Sequence, residues 1–174
     1  MEQIYSFHNI SEKNMTFLDV FSHIHSFMNS KPNGHYRLMI GTDSQVYSRH
    51  TRFITGIVIR REGNGAWACL RKVDIPERIE DLHKKISIET ELTEHVAQLF
   101  TPHYKKELIS IILPHIKDGC SFSFEGHIDI GLGEKNKTKI YVEEMMDRLQ
   151  ALGMKPLVKP ESFVAFSYAN RHTK

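Results

Sequence analysis

Apolar residues recur along this chain with two periods, and the switches between them lay out its elements. Phe17, Val20, Phe21, Ile24, Phe27 and Met28 follow helical spacing, and Thr16 with Asp19 resembles a capping box carrying aspartate in the usual glutamate place. An amphipathic helix is predicted there, ending before NSKPNG. Tyr36 to Gly41 reads as a strand. Phe53 to Arg61 and Ala66 to Val73 read as two more, and the Gly-rich turn Glu62 to Gly65 makes them an antiparallel hairpin. Pro76 breaks the sheet and starts a long helical pattern reaching Phe100. Pro102 closes or kinks it, and HYKKELISIILPHI supplies a second helical piece.

Ser121 to Ile130 alternates strictly, with Phe122, Phe124, Ile128 and Ile130 on one face and Ser123, Glu125, His127 and Asp129 on the other. This is a strand with one polar face. The loop GLGEKNK follows, then a helix from about Thr138 to Leu152 stopped by Gly153, a short strand KPLVKP, and a last helical segment from Glu161. A hairpin followed by alternating helices and strands indicates an α/β protein, a mixed five-stranded sheet flanked by helices. Residues 1–34 are expected to form an N-terminal segment and helix packed on the core, with 35–174 as the main domain.

A chain of 174 residues suffices for one domain with a real core. No apolar run approaches the ~18 residues of a membrane span, and the N-terminus lacks a basic start, an apolar signal core and a cleavage site. A cytoplasmic protein is the expectation. Cys69 and Cys120 stand far apart without a CxxC, which suggests ordinary free thiols. The 11 histidines include no HExxH, and His23 and His25 lie on different faces of the first helix, so a histidine-based metal site is not expected. The net charge is only +2, but residues 135–174 carry 8 Lys and Arg against 4 Asp and Glu. That basic quarter is compatible with phosphate contacts and equally with a solvated surface.

The candidate chemistry lies in three carboxylates. Asp43 is expected just past the first strand and Asp129 near the end of the fourth, each with a glycine nearby, Gly41 and Gly131. Ligands of α/β sheets bind outside strand ends, so the two acids meet if their strands are adjacent; a single Asp after a strand is more often a turn cap. On the long helix, Leu82, Ile86, Thr93, Val96 and Phe100 share a face, with Glu89 near its middle and Glu91 pointing away. A charged glutamate on a dry face costs several kcal/mol unless paired. A cation, a hydrogen bond to Thr93 or a strand, or a salt bridge to a residue such as Arg71 would each serve. Three carboxylates on separate elements favour a cation, and an all-oxygen set suits Mg²⁺ or Mn²⁺. Two such ions, ~4 Å apart, activate water and stabilise the leaving oxygen in phosphodiester cleavage.

The segments FMNSKPNGHYRLMIGTDSQVY, TRFITGIVI, AWACLRKV, HIDIG and KPESFVAFSYANRHTK resemble the YkuK family of bacterial proteins, within the ribonuclease H-like superfamily. The resemblance implies a ribonuclease H-like fold, three antiparallel strands followed by parallel ones. It also implies a Mg²⁺- or Mn²⁺-dependent nuclease acting on RNA or DNA. It matches Asp43, Glu89 and Asp129 to the superfamily's catalytic and metal-binding acids. The superfamily usually completes its site with an acid or a histidine in the last helix. Here Asn170 stands near that place as a neutral metal ligand and His172 as a candidate for proton transfer. Thr42, Ser44 and Gln45 would line the site. Lys159, Arg171 and Lys174, with Lys135, Lys137 and Lys139, would meet a nucleic acid backbone, although loop lysines are usually solvated surface. The alternative is a non-catalytic nucleic-acid-binding or protein-interaction module. Actin-like ATPases share the strand order, but neither a duplicated second domain nor a matching phosphate loop is present.

Overall fold

In the computed structural model, which describes residues 5–131, 135–159 and 161–162, the first helix, α1 (Phe17–Ser30), begins at the expected capping box. The Thr16 hydroxyl accepts from the Asp19 amide at 3.2 Å, and Asp19 accepts from the Thr16 amide at 2.7 Å. Val20, Phe21, Ile24 and Met28 are its buried face and join the main core.

Three antiparallel strands follow, β1 (His35–Val46), β2 (Thr51–Arg61) and β3 (Ala66–Ile75). The first is longer than the apolar run suggests, so Asp43 lies within β1, opposite Ile54 of β2, and not beyond the strand. The reason is one-sided pairing. The ladder to β2 continues to Val46, whereas the parallel ladder to β4 (Ser121–Gly131) ends at the Gly41–His127 pair.

Pro76 does not start a helix. Residues 76–81 cross to α2 (Leu82–Leu99), because Thr51 Oγ1 captures the Ile79 amide at 2.9 Å and Ile79 packs with Phe53 and Leu92. Asp81 then caps α2 by accepting from the Lys84 amide. Pro102 opens a new helix, α3 (Pro102–Ile112), at the position where a missing N–H costs nothing. A 3₁₀ turn (Leu113–Asp118) leads into β4. The next helix, α4 (Lys135–Ala151), starts before Thr138, so Lys135 and Lys137 are helical and not in a loop. The edge strand β5 (Lys155–Lys159) tolerates Pro156. The expected final helix from Glu161 lies outside the described residues beyond the turn at Glu161 and Ser162.

The sheet order is β3-β2-β1-β4-β5. Leu38, Ile40, Ile57 and Phe124 pack with Ile86 and Val96 of α2 and Met145 and Leu149 of α4 in one core, while Met39, Val58 and Ala68 cluster on the opposite face. Gly126 lets α4 close on the sheet: a Cβ there would stand 2.7 Å from Leu149 Cδ1. Cys69 and Cys120 are buried free thiols. Among the described residues no helix is long and apolar enough to cross a membrane.

Candidate functional site

Adjacency of β1 and β4 decides what the carboxylates do. Gly41 pairs with His127, and two residues further along each strand, on the same face, stand Asp43 and Asp129. The ladder has ended there, so the two strands carry their acids into the opening. Burial raises Asp43 to a pKa of about 6, helped by the charge of Asp129 and a hydrogen bond between the two carboxyl groups. The Ser44 amide, 2.7 Å from Asp43 Oδ1, and the positive Lys159 act in the other direction.

Glu89 approaches from α2. It is 8% exposed, whereas Glu91, two residues on, is exposed, as helical phase requires. Burial lifts Glu89 to a pKa of about 8; the Ser44 hydroxyl, 2.5 Å from Oε1, offsets part of this, and repulsion from Asp43 and Asp129 adds to it. The uncompensated glutamate therefore holds a proton at neutral pH. Of the alternatives to a cation, the hydrogen bond to a strand is the one formed, from Ser44 of β1; Thr93 instead donates to the main-chain carbonyl of Glu89 at 3.0 Å, and the Arg71 guanidinium sits over the Tyr5 ring. Thr42 is buried and bonds both Thr55 and Thr93, at 2.8 and 2.9 Å, so three hydroxyls fasten α2 to the sheet beside the acid.

A cavity of about 180 Å³ lies between α2 and the ends of β1 and β4, lined by the three acids together with Lys85, Ile86 and Ile130. Lys159 meets one of these acids from β5, its ammonium 2.6 Å from Asp129 Oδ1. Gln45 is exposed and accepts from the Tyr47 hydroxyl at 2.9 Å. Asn170, Arg171 and His172 lie outside the described residues.

The all-oxygen donors match a hard cation chemically. Among the described residues, however, no group of three His, Cys, Asp or Glu side chains is placed to hold an ion. Asp43 and Asp129 form the available pair, with Glu89 engaged by Ser44.

The polar face of β4 also carries a network the sequence does not announce. Arg37 grips Glu125 with two hydrogen bonds, 2.7 and 2.6 Å, while Ser123 and His127 bond the same carboxylate. Burial pushes Glu125 up, but these partners outweigh it and hold the group well below the usual carboxylate range. His127, fully buried, also bonds the Ser162 carbonyl at 3.0 Å. Strict alternation put Glu125, His127 and Asp129 on one face; only the β1–β4 pairing brings Arg37 to them.

Three antiparallel strands followed by two parallel ones, in one five-stranded sheet flanked by helices, make this a ribonuclease H-like α/β protein. The family model described as Ribonuclease H-like matches residues 19–174. The chain is 40% identical over 174 residues, 100% of both chains, to a protein named uncharacterized protein YkuK from Bacillus subtilis (strain 168). It belongs to the YkuK family of ribonuclease H-like proteins. No solved structure matches it.

Proposed function

We propose that this protein is a nuclease that hydrolyses phosphodiester bonds of RNA or DNA with the help of Mg²⁺ or Mn²⁺. The observation that carries the reading is the meeting of Asp43 and Asp129, two residues past the last pairing of the adjacent parallel strands β1 and β4, with Glu89 buried against the same cavity. The membership of the ribonuclease H-like family supports a nucleic-acid-related function. When bound, the cation would supply an activated water and charge for the leaving oxygen. Asp43 and Asp129 would hold it. Glu89, fixed by Ser44, offers a carboxyl whose proton leaves when positive charge enters. Ser44, Gln45 and Lys159 line the approach to a phosphate, and Asn170, Arg171 and His172 remain the candidates from the chain end.

The test is cleavage of a panel of RNA, DNA and hybrid substrates with Mn²⁺. Wild type should cut at least one of them and Asp43→Asn none; equal background rates for both proteins on every substrate would sink the enzyme reading.

One observation favours a second reading, a binding module without turnover: no three metal-ligating side chains among the described residues are placed around one ion. Such a module would bind nucleic acid more weakly as salt rises, with no need of a divalent cation.

A further inference from the structure

Lys159 is held against the acids by the course of β4 and β5. Val158 pairs with Ile128, but the next β5 residue, Lys159, pairs with Gly131, so Asp129 and Ile130 bulge out of the ladder. Bulges of this kind re-aim side chains. The Lys159 ammonium ends 2.6 Å from Asp129 Oδ1, and its charge is also felt by Asp43. The ammonium that lines the cavity itself, Lys85, acts on Glu89 from α2.

We infer that Lys159 is the resident cation of this site: it supplies, as part of the chain, the positive charge that a second divalent ion would bring. The cluster then takes one ion at most, between Asp43 and Asp129, in competition with the ammonium. Two features agree with this assignment. Among the described residues the donors form a pair and not a larger cage, and a compact ammonium on a flexible four-carbon stem can swing aside as a divalent ion enters. The same charge would then meet the phosphate of a substrate. The inference rests on the acids being a cation site, as proposed above, but not on hydrolysis.

Calorimetric titration with Mn²⁺, supported by the paramagnetic resonance signal of free Mn²⁺, compares wild type with Lys159→Met and Lys159→Arg in the full chain. Lys159→Met keeps the length of the side chain without its charge. It should bind Mn²⁺ at least about tenfold more tightly than wild type or take up one more ion, while Lys159→Arg should stay near wild type. Adding Asp43→Asn to Lys159→Met should erase the gain. Equal affinity and stoichiometry in wild type and Lys159→Met, two ions already in wild type, or a gain that survives Asp43→Asn would each overturn the inference. A gain in binding without cleavage of any substrate would sink the nuclease reading alone; cleavage without that gain would sink only the role of Lys159.

Discussion

Ser44 serves two acids at once: its amide donates to Asp43 Oδ1 at 2.7 Å, and its hydroxyl donates to Glu89 Oε1 at 2.5 Å. A strand residue thus fixes the acid beside it and the acid on the helix above. Ser44→Ala should remove only the second bond. The expected loss in urea unfolding is about 1–2 kcal/mol, and Ser44→Thr, which keeps the hydroxyl, should lose less.

Glu89 makes stability fall as pH rises. Its folded-state pKa of about 8 lies above the ordinary 4.5, so between those values the folded protein holds a proton that the unfolded chain has released. More protons on the folded state mean stability drops across that window and reaches its minimum contribution above pH 8. Glu89→Gln should flatten this slope and raise stability at pH 8 by on the order of 2–4 kcal/mol in cation-free buffer. Thermal melts between pH 5 and pH 9 measure it; parallel curves for wild type and variant would contradict the burial argument.

Asp43 and Glu91 separate chemistry from surface. Asp43→Asn should reduce cleavage to background yet melt no lower than wild type above pH 6, because it removes a buried charge facing Asp129. Glu91→Gln, on the exposed side of α2, should match wild type in both cleavage and melting, with a change within about 0.5 kcal/mol.

The Arg37–Glu125 pair behaves in the opposite sense to Glu89. Its carboxylate is held below the ordinary range, so its stabilisation is present above about pH 4.5 and is lost as pH falls. Arg37→Met leaves a 3% exposed carboxylate with its main partner gone and should cost about 2–4 kcal/mol in denaturant unfolding at pH 7. Glu62→Gln removes only the exposed contact to Arg37 at 3.4 Å and should cost less than about 0.5 kcal/mol.

Helical phase and strand alternation carried most of what could be read in advance. Phase alone distinguishes Glu89 from Glu91, and alternation puts Glu125, His127 and Asp129 on one face. The polar run Thr42 to Gln45 hides the true length of β1, because continuation of the strand there depends on β2 supplying hydrogen bonds. The stretch from Pro76 to Asp81 looks helical until Thr51, distant in sequence, takes the Ile79 amide. Arg37 with Glu125 and Lys159 with Asp129 are products of strand pairing. No local period encodes which strands become neighbours.

Beyond Gly41 the sheet forks: β1 stays with β2 and β3, while β4 departs with β5. A ligand seated between Asp43 and Asp129 would bridge the two prongs, which share no ladder at that level. Its binding would rivet the antiparallel half of the sheet to the parallel half, so that occupancy of this crotch and the spread of the sheet would be the same variable.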